Sequence, residues 1–233
     1  MNEIINKLQN KVIVSVQAQD NEPLNRPEHL LAISQSVING GAGGLRLCGI
    51  ENIKHIMKHV DVPIIGLTKL SPTPINWLEK VYISAAQKDL KDLIKTGIDF
   101  IAIDGTDRQR ADESTLKDQI KLIKESGKIA VCDIATLEDG LNIKVLGGDI
   151  ISTTLSGYTK ETRYKLNEGP DFNLLAELIE EIDIPVIMEG RIWDPIDVKK
   201  AFEIGAYAVV IGTAITRPHM ITKRFVSAIP ASR

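Results

Sequence analysis

Lys69 and Glu189 each stand just beyond a short apolar run, Ile64 to Leu67 for the lysine and Val186 to Met188 for the glutamate. If both runs are strands that end at one cavity, an amine and a carboxyl face each other there. Such a pair can move a proton to and from carbon beside a carbonyl. A lysine so placed can also attack a carbonyl to form a Schiff base. Polar residues stand at or near the ends of other apolar runs: Gln17, Arg46, Asp104, Asp133, and Thr153 with Thr154. One polar residue at a strand end is ordinarily a cap or a loop anchor, but a set of seven such ends suggests a common site. A second signal lies in Glu189-Gly190-Arg191 and in Gly212-Thr213-Ala214-Ile215-Thr216-Arg217. Small residues there let an anion approach backbone N–H groups, a short helix from Thr213 would aim its N-terminus at it, and Arg217 would add charge.

The elements that must hold these residues alternate short β-branched runs with longer amphipathic stretches, the pattern of parallel strands joined by helices. Eight runs are found: Val12 to Val16, Gly44 to Leu47, Ile64 to Leu67, Phe100 to Ile103, Ile129 to Cys132, Ile150 to Thr153, Val186 to Met188 and Ala208 to Ile211. Segments such as Ser84 to Thr96 and Phe172 to Ile182 have helical periodicity. The fold class expected is α/β, a single-domain (β/α)8 TIM barrel spanning residues 1–233. Asp61-Val62-Pro63-Ile64-Ile65 recurs as Asp183-Ile184-Pro185-Val186-Ile187, ahead of the third and seventh strands. Strands four apart in a ring of eight face each other, so Lys69 and Glu189 would point into one cavity from opposite walls. Glycines at Gly97, Gly147 and Gly205 read as helix stops, and long loops are expected at Ser71 to Val81 and Leu155 to Asp171.

With 43% hydrophobic residues in a chain of 233, a substantial core can form. A net charge of −3 offers no basic stripe for nucleic acid. Cys48 and Cys132 read as buried structural thiols, and no His-rich set accompanies the strand-end carboxylates to hold a metal. His29, His55, His59 and His219 fall in expected helices or loops away from the strand ends. Met1 to Asn10 lacks the apolar core of a signal peptide, and no stretch is long and apolar enough to cross a bilayer, so a cytoplasmic protein is expected.

Several longer segments resemble the N-acylmannosamine-6-phosphate 2-epimerases of sialic-acid catabolism. They are Val14-Ser15-Val16-Gln17 with Pro23-Leu24, Ala102-Ile103-Asp104-Gly105-Thr106-Asp107-Arg108, Thr153-Thr154-Leu155-Ser156-Gly157-Tyr158-Thr159, Glu189-Gly190-Arg191, and Gly212 to Pro218. The resemblance implies a cofactor-independent epimerase that interconverts N-acetylmannosamine 6-phosphate and N-acetylglucosamine 6-phosphate. It makes Lys69 and Glu189 catalytic, and assigns Gln17, Arg46, Asp133, Thr154 and Tyr158 to substrate. It gives Gly190, Arg191, Gly212, Thr213 and Arg217 to phosphate. It also implies a homodimer whose ligand is a phosphosugar, without metal, nucleic acid or membrane. Lys69-Leu70-Ser71 departs from the Lys-Arg-Asp-like run common among such enzymes, so the loop after strand three would meet substrate differently or lack an ion pair that orients the lysine.

On that reading Lys69 removes the C2 proton of the open-chain sugar, either directly or through the substrate's acetamido group. Glu189 opens the ring or serves the second face of C2, while Arg46 and Gln17 hold O1 or the acetamido group. Asp133 orients Lys69 or binds a hydroxyl. Two alternatives stay open on the residues alone: Schiff-base aldol cleavage or decarboxylation at Lys69, and a noncatalytic phosphosugar-binding protein.

Overall fold

A computed structural model describes residues 3–19 and 21–230, so the first two residues of the polar N-terminal stretch lie outside it. Eight parallel strands close into a barrel in sequence order, β1 pairing with both β2 and β8. They are β1 (Val12–Val16), β2 (Gly44–Cys48), β3 (Ile64–Leu67), β4 (Phe100–Asp104), β5 (Ile129–Asp133), β6 (Ile150–Ser152), β7 (Val186–Glu189) and β8 (Ala208–Ile211). Helices run before, between and after them: α1 (Glu3–Asn6), α2 (Pro27–Asn39), α3 (Ile50–Ile56), α4 (Gln87–Thr96), α5 (Leu116–Glu125), α6 (Leu137–Leu146), α7 (Phe172–Glu181), α8 (Pro195–Ile204), α9 (Thr213–Thr216) and α10 (Pro218–Val226). The TIM-barrel expectation holds, and β3 lies opposite β7 in the ring.

Strand alternation divides the core into two layers. Ile13, Ile65, Leu67, Phe100, Val131, Ile150 and Ile187 fill the barrel interior. Val14, Leu45, Ile101, Cys132, Ile151 and Met188 pack outward against the helices. Each such side chain, once fully buried, contributes about 1.5–3 kcal/mol of transfer free energy. Continuing the inward parity up each strand reaches Ser15, Arg46, Lys69, Asp104, Asp133, Ser152 and Glu189. The interior therefore turns from apolar to polar at the level where the strands end.

Local chemistry fixes the helices above this frame. Thr115 and Thr136 cap α5 and α6, each accepting at 3.1 Å from the backbone N–H three residues on. Gly97, Gly147 and Gly205 end α4, α6 and α8 with positive φ, as their positions predict. The repeated prolines also have matching roles: Pro63 O accepts from Leu45 N at 2.9 Å, and Pro185 O accepts from Ile151 N at 3.0 Å. Each proline carbonyl thus ties the start of its strand to a neighbour without needing an N–H.

Several expected ends move by a residue, and two boundary shifts have a visible cause. The helix read from Ser84 begins only at Gln87, because Ser84 is buried at φ 44° and its Oγ donates to Ala102 O at 2.7 Å. The preceding residues instead form an antiparallel bridge between Lys69 and Ile83. Strand six stops at Ser152, since Thr153 starts a 3-10 turn, Thr153–Leu155. No helix among the described residues is long and apolar enough to cross a membrane.

Candidate active site

The carboxyl ends of the strands open on a cavity of about 1410 Å³. Gln17, Arg46, Lys69, Thr154, Tyr158 and Glu189 line it, as do Gly190, Arg191, Gly212, Thr213 and Arg217. Asp133 lies beneath, fully buried. A smaller groove of about 610 Å³ between the start of α8 and α10 shares only Arg191, Trp193 and Met220 with this lining and lacks the strand-end residues.

Arg46 organises the floor. Its guanidinium grips Asp133 through two hydrogen bonds of 3.0 and 2.5 Å, and Nη1 also lies 2.9 Å from Glu189 Oε2. Burial alone would lower the Arg46 pKa, but Asp133 and Glu189 outweigh it and the net shift is upward, keeping the cation fixed. Thr154 Oγ1 stands 2.8 Å from Asp133 Oδ1 and 3.0 Å from Glu189 Oε2. A hydroxyl has one proton and can donate to only one of these carboxylates. A proton on Glu189 would satisfy the second contact. Burial, reinforced by Asp133, raises the Glu189 pKa above the usual carboxylate range against the pull of Arg46, so that proton is retained more readily. Glu189 is paired with Arg46, and not with Arg191 or Arg217.

Across the recess, Lys69 Nζ donates to Gln17 Oε1 at 2.7 Å, and Gln17 Nε2 donates to Ser15 Oγ at 2.9 Å. By accessible area Lys69 is exposed, but its exposure is to the recess, where protein crowds the amine on its other sides. That crowding matters more for its charge, because the water it reaches is confined to the recess. Burial therefore lowers its pKa, Arg46 lowers it further, and Cys48, Glu189 and Asp133 oppose the fall. The residue that orients the lysine is Gln17; Asp133 is engaged with Arg46 and Thr154 instead.

Two residues placed with this set by sequence do other work. Asp104 is buried and bonded to Arg108 at 2.6 Å and Thr106 at 2.6 Å, away from the cavity lining. Thr153 Oγ1 clasps the Glu189 backbone, donating to its O at 2.9 Å and accepting from its N at 3.0 Å. Cys48, read as a buried structural thiol, is half-buried on the cavity wall, whereas Cys132 is fully buried.

The rim over β7 and β8 has the backbone that close anion approach needs. Gly190 has φ 113° and Arg191 has φ 58°, two successive positive values of which the second is strained for a side-chain-bearing residue. Arg191 donates to Gly169 O at 2.9 Å and to Ser156 O, and its guanidinium lies where a side chain at Gly157 would otherwise project. Gly212 precedes α9, whose Thr216 Oγ1 donates to Ser15 O at 2.9 Å. Arg217 is ion-paired with Glu22.

Sequence reasoning named Tyr158 but missed Trp77 and Tyr82. Trp77 and Tyr82 line the cavity beside Tyr158 and have no strand-end signature. Among the described residues no group of three or more His, Cys, Asp or Glu is arranged to hold a metal ion.

The chain matches over residues 30–231 the family model described as "Putative N-acetylmannosamine-6-phosphate epimerase". It belongs to that family. It is 41% identical to a protein of Clostridioides difficile named as a putative N-acetylmannosamine-6-phosphate 2-epimerase, covering 97% of this chain and 99% of that one. A protein of the same name from Caldanaerobacter subterraneus is 43% identical, over 99% of this chain and 96% of that one. The solved N-acetylmannosamine-6-phosphate 2-epimerase from Clostridium perfringens superposes with a TM-score of 0.92 at 38% identity, covering 98% of this chain and 97% of that chain.

Proposed function

We propose that this chain is an isomerase that interconverts N-acetylmannosamine 6-phosphate and N-acetylglucosamine 6-phosphate by proton transfer at C2, within amino-sugar and sialic-acid catabolism. The observation that carries the site assignment is the pair of opposed groups at one recess, an amine whose pKa is lowered and a carboxyl whose pKa is raised. Lys69 in its neutral form takes the C2 proton of the open-chain aldehyde. The electron pair passes into the C1 carbonyl as an enolate, which Arg46 stabilises by its fixed charge. Reprotonation on the other face completes inversion, with Glu189 as the acid there. Gln17 holds the Lys69 amine in position, and Thr154 donates to Asp133 while accepting a hydrogen bond from protonated Glu189.

Gly190, Arg191, Gly212, Thr213 and Arg217 take the phosphate, whose binding energy anchors the chain end remote from the reacting carbon. Asp133 holds Arg46 and Tyr158 borders the sugar. The whole of residues 1–233 forms one domain working in the cytoplasm on a phosphosugar, without nucleic acid or a bound cofactor. Two copies associate as a homodimer, for which α10 offers exposed apolar surface at Phe225 and Val226, with Ile229 just beyond.

The test is proton NMR of N-acetylmannosamine 6-phosphate with the purified protein in deuterated water. Product carrying deuterium at C2 is expected. Substrate left intact after prolonged incubation would reject the activity, and a borohydride-trapped adduct on Lys69 would replace proton transfer with Schiff-base chemistry.

A further inference from the structure

Trp77, Tyr82 and Tyr158 stand ring to ring on the β3-to-β6 side of the mouth. Trp77 meets Tyr82 edge-on with centroids 6.3 Å apart and Tyr158 at a tilt with centroids 6.4 Å apart. All three line the cavity, and the two tyrosines pack on the interior apolar cluster below. Among the described residues no hydrogen bond is seen from either phenol hydroxyl or from the indole N–H. The remaining indole of the cavity, Trp193, is set apart beneath Arg224 at 5.0 Å.

This wall is built to stay in place. Arg108 Nη1 donates to the carbonyls of Trp77 and Leu78 at 3.1 and 3.2 Å, while its Nη2 is anchored on Asp104 at 2.6 Å. Lys160 N donates to Leu78 O at 3.1 Å, and Lys160 Nζ reaches Glu79 at 2.8 Å, so the β3 and β6 loops are tied together. Leu70 N donates to Tyr82 O at 2.9 Å next to Lys69, placing the wall directly beside the reacting amine.

In an N-acylated hexosamine phosphate every sugar carbon bears oxygen or nitrogen, and the hydrocarbon end of the acyl group is the one apolar part. It branches from C2, the carbon presented to Lys69, while the phosphate end lies toward β7 and β8. An apolar group leaving C2 away from the phosphate meets the Trp77 side. We propose that Trp77, Tyr82 and Tyr158 form the subsite for the N-acyl substituent and set the length of acyl chain the enzyme accepts. This inference rests on the epimerase reading above.

The experiment compares kcat/KM for the N-acetyl, N-propanoyl and N-butanoyl forms of mannosamine 6-phosphate in the wild type, Trp77→Ala and Trp77→Phe. The wild type should prefer acetyl over butanoyl by about 10-fold or more, the scale at which a fitted pocket discriminates a methylene or two. Trp77→Ala should bring that ratio near one, and Trp77→Phe should restore most of it. Inhibition by inorganic phosphate should be the same in all three. A folded Trp77→Ala that loses turnover equally on every acyl length would overturn the subsite. Independently of any variant, transferred nuclear Overhauser effects in the wild type should connect the acyl methyl to the indole protons. Contacts only between the indole and the sugar-ring protons would also overturn it. Wild-type protein that binds these sugars but leaves C2 unexchanged would reject the epimerase activity while the methyl contacts still report on the subsite.

Discussion

Two buried arginine–aspartate networks sit at neighbouring strand ends and differ in what surrounds them. At β4, Asp104 holds Arg108, which spends its remaining donors on Thr106 and on the carbonyls of Trp77 and Leu78. Arg110 beside it donates to the carbonyls of Asp104, Thr106 and Arg108 and to Gln119. Every contact is internal, and the result is a clamp under a loop. At β5, Asp133 holds Arg46 just as closely, but Arg46 extends to Glu189, and Glu189 opens on water and faces Lys69. The same pair of residue types is closed off by backbone carbonyls at β4, whereas at β5 it borders a cavity that, on the proposed mechanism, leaves one carboxyl and one amine to exchange protons. Desolvation raises the pKa of both Asp104 and Glu189, so the shift does not distinguish them; access to the cavity does.

Substitutions in the two networks should separate along this line. The largest effect is expected for Lys69→Met: a fall of about 10³ to 10⁴ in kcat, the range of a lost acid–base group, with thermal melting unchanged or raised because a desolvated amine is gone. Full turnover by that variant would break the comparison. Glu189→Gln should cost about 10² to 10³ in kcat; if C2 exchange with solvent persists while net turnover fails, Glu189 serves ring opening instead. Asp104→Asn should act on stability, losing about 2 kcal/mol as the buried Arg108 is left partly unpaired, with kcat close to wild type. That loss corresponds to a melting temperature lower by roughly 4–8 °C for a chain of this size.

The pH profile refines the contrast further. The neutral form of Lys69 grows as pH rises through a pKa below the ordinary lysine value of 10.5. The protonated form of Glu189 declines as pH rises through a pKa above the ordinary 4.5. The product of the two fractions is a bell, each limb changing by about tenfold per pH unit. Lys69→Met should erase the acid limb from whatever activity remains, and Asp104→Asn should leave both limbs in place.

Much of this was legible in the sequence because period-two alternation and the proline-led repeat are local. They placed eight strands, set β3 against β7, and so brought Lys69 and Glu189 to one recess. Strand ends also pointed to Arg46 and Asp133, but nothing in their spacing, 87 residues apart, said that they bind each other. Asp104 carries the same signature as Asp133 and differs only through Arg108 and Arg110 folding back from the following loop, a contact that no periodicity encodes. Ser84 read as helix because its φ of 44° goes with contacts to Ala102 on β4 and to Thr68 just past β3, both distant in sequence. Trp77 lies in a proline-rich loop with no repeat to place it, so its approach to Tyr158 emerged only with the fold.

The recess floor holds two basic and two acidic side chains, Arg46 and Lys69 with Asp133 and Glu189. With Lys69 neutral and Glu189 protonated, the fixed charges of Arg46 and Asp133 cancel. In the proposed reaction the C2 proton moves onto Lys69, the ammonium and the enolate form together, and the sum is again zero. The chemical step thus proceeds without an ion entering or leaving the recess. Ionic strength should then act at the phosphate end, through KM, and leave kcat nearly untouched.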